Sequence, residues 1–237
     1  MGGSLYLGTS GFAYKEWKGI FYPDELKDGE MLPYYASRFA SVEINYTFRR
    51  SPAETTVRTW SERTPDGFRF ALKAHQRITH TRRLDTGDEG VAWFLDRVRP
   101  LGQRLGPILF QCPPTLRFDA AVLDAFLSAL PEGRRYAMEF RHDSWAQARE
   151  TLRERGVAWC VAESDESPGA PAWLAEQPFG YLRLRKETYA DADLRVWADR
   201  ISEMLRSGRD VYCYLKHEEE GTGPRYAERL GELLDAV

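Results

Sequence analysis

Asparagine occurs once in this 237-residue chain, at Asn45, lysine six times and cysteine three times. The few cysteines rule out a fold stapled by disulfides. Cys112, Cys160 and Cys213 are odd in number and far apart, with no close pair to nucleate a zinc site. Each falls inside an apolar run, where a free thiol packs as a small hydrophobe. Histidine is scarce too: His75, His80, His142 and His217 show no HxH or HxxxH spacing. That argues against a multi-histidine metal cluster, although a divalent metal held from separate strands is left open, and no cofactor is called for. No apolar stretch approaches the roughly 20 residues of a membrane span. Met1-Gly2-Gly3-Ser4 runs straight into a strand without the features of a leader, and Tyr6 spoils a myristoylation match. These features point to a cytoplasmic protein. A net charge of −3 argues against a surface that grips nucleic acid as a whole, while the 27 arginines allow a local basic groove.

What is present concentrates in Ser41–Pro52, SVEINYTFRRSP. Val42 and Ile44 alternate with Glu43, Asn45 and Thr47, so a strand here presents an acid, an amide and a hydroxyl on one face. Ser51-Pro52-Ala53-Glu54 reads as a capping box with proline at the first helical position. A strand that delivers polar groups and turns directly into a helix is one unit of a β/α barrel.

Similar runs occur near Leu5–Thr9, Phe68–Ala74, Pro107–Gln111, Tyr136–Phe140, Val157–Ala162, Gly180–Leu184 and Val211–Leu215. Most are separated by amphipathic helices, such as the one marked by Val122, Leu123, Phe126, Leu127 and Leu130. Asp119 and Ser144 read as N-caps, Gly156 and Gly208 as helix stops. Pro168–Pro178, after the sixth strand, holds too much proline for a full helix. Eight strands alternating with helices predict an α/β fold, a single (β/α)8 TIM-type barrel of parallel strands over residues 1–237 with an irregular connection after strand six.

The alternation recurs strand by strand, with the polar parity expected to point into the barrel near its C-terminal mouth, where barrel enzymes build their sites. It predicts convergence of Glu43, Asn45, Lys73, Gln111, Glu139, Arg141, Glu163, Asp165, Arg183, Arg185 and Lys216. The competing reading is a layer of mutually neutralising ion pairs.

With these residues assembled, the chain resembles the YecE-like family, domain-of-unknown-function family 72. The matching stretches are Gly8-Thr9-Ser10-Gly11 with Tyr14, Trp17 and Phe21-Tyr22-Pro23, then Val42-Glu43-Ile44-Asn45 with Thr47-Phe48 and Pro52. Lys73 with Thr79-His80, Gln111 with Pro113-Pro114, and Glu139-Phe140-Arg141-His142 with Ser144-Trp145 complete the match. The resemblance implies a TIM-type barrel and no established activity. Phe12 replaces a usual tryptophan. Leu184-Arg185 and Leu215-Lys216-His217-Glu218 also depart from the commonest pattern, which marks a subgroup.

Several chemistries fit. Glu43 with Glu139 or Glu163 suits acid/base catalysis, where the alternative is that each is fixed by a neighbouring cation. Lys73, Arg141, Arg183, Arg185 and Lys216 suit an anionic ligand. Gly221-Thr222-Gly223-Pro224 opens the last helix near a common phosphate position, yet Glu218-Glu219-Glu220 precede it, so a plain glycine turn is the simpler reading. Ser10 binds or caps, since no nucleophile elbow surrounds it. His80 and His142 follow strands three and five. Tyr14, Trp17, Phe21, Tyr22, Phe48 and Trp145 lie in or just beyond the mouth loops, to stack a ligand or to pack as a lid, a lid suiting Phe21 and Tyr22 more than Tyr14 and Trp17. The expectation is an enzyme, hydrolase- or lyase-like, acting on an anionic small molecule such as a phosphorylated sugar or nucleotide. A single-stranded nucleic-acid protein and a binding protein without turnover are the alternatives.

Overall fold

Strands and helices alternate along the residues that the computed structural model describes, 2–87, 89–166, 171–216 and 221–235. The strands are β1 (Leu5–Thr9), β2 (Ser41–Ile44), β3 (Arg69–Lys73), β4 (Leu105–Gln111), β5 (Tyr136–Glu139), β6 (Ala158–Trp159), β7 (Val161–Glu163), β8 (Gly180–Leu184) and β9 (Val211–Leu215). The α-helices are α1 (Met31–Arg38), α2 (Glu54–Glu62), α3 (Gly90–Val98), α4 (Ala120–Ser128), α5 (Arg149–Glu154), α6 (Asp191–Arg206) and α7 (Thr222–Asp235). They make two sheets, β1-β9-β8-β7 and β2-β3-β4-β5-β6. The α/β character is as expected. One continuous eight-stranded sheet is not seen: β1 and β2 fall in different sheets, and the predicted strand Val157–Ala162 is divided at Cys160, with β6 in one sheet and β7 in the other. By contacts the chain divides into two compact units: Met1–Glu43, Arg63–Arg69 and Val161–Val237, and Ile44–Glu62 with Phe70–Cys160.

In the first unit, β9 lies between β1 and β8, and Val211 is the register partner of both Leu5 and Gly180. All ladders are parallel. Every residue of β8 and β9 is buried, as in parallel sheets covered on both faces. α7 packs on β1 and β9 and also against α6. α6 buries Leu194, Trp197, Ala198 and Ile201, one stripe at helical spacing, each large side chain contributing about 1.5–3 kcal/mol. Gly8 is required by close approach: a Cβ there would lie 1.9 Å from the Ser41 carbonyl oxygen. Phe21 stacks on Phe39 and meets Trp17 edge-on, joining the loop after β1 to α1 and its end.

In the second unit, β3, β4, β5 and β6 pair in parallel order. Phe110 on β4 meets Phe126 of α4 with ring centroids 5.0 Å apart, and Trp60 of α2 stacks on Phe70 of β3. These rings bury the inner stripes of the helices against the sheet. Among the described residues, no helix is long and apolar enough to cross a membrane.

Local signals fared unevenly. Asp119 caps α4 as expected, accepting from the backbone of Ala121 and Val122. Gly156 and Gly208 take positive φ at helix ends. Among the described residues, only a short 3-10 turn, Ala172–Glu176, lies between β7 and β8. The capping box at Ser51 does not form: α2 starts at Glu54 and the buried Ser51 Oγ has no hydrogen-bond partner. Ser144 is not a cap either. His142 takes that role, its Nδ1 accepting the Ser144 N–H, while Ser144 Oγ accepts the N–H of Phe118. His217, Glu218, Glu219 and Glu220 lie outside the described residues.

Candidate functional site

The first unit holds two buried carboxylates. Glu43 lies in the fully buried β2 and is register partner to Ser10, just beyond β1. Ser10 Oγ donates to Glu43 Oε2 at 2.7 Å and Tyr181 OH to Oε1 at 2.9 Å. Arg183 donates from Nη2 to Oε2 at 2.9 Å, and its Nε lies 2.8 Å from Oε1. Tyr181 and Arg183 reach the same carboxylate because they are two apart on β8 and share a face. Burial pushes the Glu43 carboxyl up, but the Arg183 and Arg185 charges and the Ser10 and Arg183 hydrogen bonds outweigh it and hold the pKa below the ordinary value. Glu43 is therefore a fixed anion.

Glu163, at the end of β7, is bound differently. Its Oε2 accepts from Tyr189 OH at 2.8 Å and from Trp197 Nε1 at 2.9 Å. Lys186 Nζ stands 3.5 Å from Oε1 and also reaches Asp193. Asp165, placed by parity in the mouth, is exposed and accepts the Glu187 N–H through Oδ2. Together these bonds tie the 186–190 loop to β7 and α6. Arg185 and Lys216 are half-buried just past β8 and β9, and the Lys216 N–H donates to the Leu184 carbonyl.

In the second unit the ends of three adjacent strands supply one polar chain. Lys73, Gln111 and Glu139 are the last residues of β3, β4 and β5, and Gln111 is the register partner of Glu139. Lys73 Nζ donates to Gln111 Oε1 at 2.6 Å, and Gln111 Nε2 donates to Glu139 Oε1 at 2.6 Å. Arg141, two residues beyond β5, adds Nε at 3.1 Å to the same oxygen, with its side chain 46% exposed. Lys73 Nζ also lies 3.9 Å from the centre of the Phe48 ring, a cation–π contact. His80 meets that ring edge-on at 4.9 Å. His80 sits in a π-helical turn, Arg77–Thr81, followed by left-handed backbone at Arg83 and Leu84. Its Nδ1 is 2.9 Å from Thr79 Oγ1. Partial burial, then the Lys73 and Arg141 charges, lower its pKa, so the imidazole is neutral at pH 7.

The structure thus gathers Glu43, Ser10 and Arg183 in one group and Lys73, Gln111, Glu139, Arg141 and His80 in another. It does not bring Asn45 onto the strand face with Glu43. β2 stops at Ile44, Asn45 is helical in φ/ψ, and Thr47, within the 3-10 turn Tyr46–Phe48, donates its hydroxyl to the Lys73 carbonyl at 2.7 Å. Trp17 and Trp145 are not ligand platforms, each being 1% exposed. Trp145 stacks on Phe140 and donates to the Leu116 carbonyl; Trp17 packs among Tyr14, Phe21 and Tyr22. Tyr14 is half-buried and its hydroxyl donates to the Ser10 carbonyl. Sequence reasoning missed Tyr181, Lys186, Tyr189 and Trp197. The signal for Trp197 was an indole N–H inside an apolar stripe, which needs an acceptor when buried. Among the described residues, no group of three or more His, Cys, Asp or Glu side chains is placed to hold a metal ion.

The comparisons agree with this architecture. The chain is 33% identical over 172 residues to the UPF0759 protein YecE of Escherichia coli, a match covering 68% of this chain and 59% of that protein. It is 23% identical to the UPF0759 protein YunF of Bacillus subtilis, over 98% of this chain and 95% of that one. A DUF72 family protein of Thermotoga maritima superposes with a TM-score of 0.80 at 26% identity, over 98% of this chain and 99% of that one. One from Enterococcus faecalis gives 0.79 at 17% identity, over 98% and 95%, a likeness of fold. The model of the family described as "Protein of unknown function DUF72" matches residues 6–237, and the chain belongs to that family.

Proposed function

We propose that this protein is an enzyme of hydrolase- or lyase-like chemistry that acts on an anionic small molecule, such as a phosphorylated sugar or nucleotide, at the strand ends carrying Lys73, Gln111 and Glu139. The observation that carries this reading is the meeting of two cations at neighbouring strand ends. Lys73 and Arg141 are joined through Gln111 and Glu139, beside a neutral imidazole. Cations so placed suit an anion, and the exposed part of Arg141 gives a ligand a route to it. In this reading Gln111 holds the Lys73 ammonium in place, and Glu139 keeps Arg141 oriented.

Glu43 keeps no acid/base role here. A carboxylate with no exposed surface, held ionised by Arg183, is a poor proton carrier, so its part is to orient Ser10 and Arg183. Two of the rings on which the nucleic-acid alternative would stack, Trp17 and Trp145, are buried, which weighs against it.

Mass spectrometry of molecules released from the purified protein tests the reading. An anionic metabolite should accompany the wild type and be lost from Lys73→Met and Arg141→Gln. Retention of only neutral molecules, or equal retention by both variants, overturns it.

A further inference from the structure

We propose that the anionic ligand and a proton enter this cluster together, the anion at Lys73 and Arg141 and the proton on His80. The inference rests on the anion-site reading above and adds a coupling to it. Its basis is geometric. His80 is tethered at Nδ1 by Thr79, and among the described residues no hydrogen bond reaches its Nε2. In the tautomer whose Nδ1–H donates to Thr79 Oγ1, that nitrogen is the basic atom of the ring. Phe48 links the two halves of the cluster: its face takes the Lys73 ammonium and its ring meets the imidazole edge-on.

The titratable and charged groups around the imidazole are Lys73 from β3, Arg141 from beyond β5 and, through Gln111, Glu139 of β5. Arg77 flanks it within its own turn and Arg82 just after it, and both are exposed. The nearest charges are therefore positive and oppose a proton on His80 while the site is empty. A dianion seated on Lys73 and Arg141 reverses that field. Coupling between two ligands is reciprocal, so whatever factor the anion adds to proton affinity, the proton adds to anion affinity. The backbone supports a fixed placement. A π-turn followed by two non-glycine residues at positive φ persists only where its surroundings over-determine it.

The experiment uses sulfate, a dianion that does not titrate near neutrality. NMR follows the histidine ring protons and the Lys73 and Arg141 side-chain signals of the whole protein from about pH 5 to 8, in sodium sulfate and in sodium chloride of equal ionic strength. His80→Gln assigns the signal. The expected result is a rise of about one unit in the His80 midpoint with sulfate, and sulfate affinity about tenfold tighter at the acid end. Arg141→Gln, whose partly exposed position spares the fold, should shrink the rise. If sulfate perturbs the Lys73 and Arg141 signals but leaves the His80 midpoint fixed, the coupling is wrong and the anion site survives. If sulfate perturbs none of them, the anion site itself falls and the coupling with it.

Discussion

Arg183 Nε lies 2.8 Å from Glu43 Oε1, and neither side chain has any exposed surface. Desolvating both charges costs several kcal/mol, and their attraction repays this only because Ser10 and Tyr181 satisfy the remaining lone pairs. Removing one partner leaves the other charge buried alone. Glu43→Gln should cost about 3–5 kcal/mol in a denaturant melt, and Glu43→Leu combined with Arg183→Met much less. The pKa of Glu43 is lowered in the fold, so its contribution is present above the unfolded value of 4.5 and is lost as pH falls toward the folded value. The acid limb of the stability curve should therefore be shallower in Glu43→Gln.

Gln111→Glu gives the opposite pH dependence. It sets a second carboxylate where an amide N–H now lies 2.6 Å from Glu139 Oε1. Two carboxylates at that distance share a proton, which raises one folded-state pKa above its unfolded value. The variant should lose about 1–3 kcal/mol at neutral pH and regain it as pH falls through that raised pKa. Thermal melts at about pH 5 and pH 8 check the sign.

Gly8→Ala tests the closest backbone approach. The new Cβ would meet the Ser41 carbonyl oxygen at 1.9 Å and the Tyr35 hydroxyl at 2.7 Å. Neither is the far end of a flexible chain, since Tyr35 OH also binds the Thr9 N–H. A loss of at least about 1–3 kcal/mol is expected in chemical denaturation, more than for alanine at Gly67, where a Cβ meets nothing within 4 Å.

Tyr189→Phe removes one of two donors to Glu163 Oε2. A hydrogen bond to a buried charge is worth about 1.5–3 kcal/mol, and the same hydroxyl accepts the Lys186 N–H. The melting temperature should drop, and hydrogen exchange should quicken at Lys186 and Glu187 while β9 stays protected.

Sequence pattern located β1, β8 and β9 to the residue, because each is a short apolar run cut by turns. It overran β2, since Val42 to Thr47 alternates without interruption while the chain has already turned at Asn45. Local bonding decides that ending. The Thr47 hydroxyl lies 3.1 Å from the Ile44 carbonyl, a bond that competes with the ladder and that periodicity cannot register. Lys73, Gln111 and Glu139 were legible as polar residues closing their strands. Tyr181, Tyr189 and Trp197 were not, because pattern counts them as apolar although each acts through one polar atom at its tip. Trp17 and Trp145 were over-read for the converse reason: loop position implied exposure, and packing removed it.

The three buried thiols give the molecule an internal clock. Burial first, then the Glu139 charge at Cys112 and the Glu163 charge at Cys213, pushes both of these thiols up and keeps them protonated and slow to react. Cys160 is 2% exposed and is likewise shut from solvent. Cys213 belongs to one unit and Cys112 and Cys160 to the other. A thiol reagent added to the native protein therefore reads out opening events. One label arriving before two, two before one, or all three together would say whether the halves of the chain breathe in turn or come apart as one.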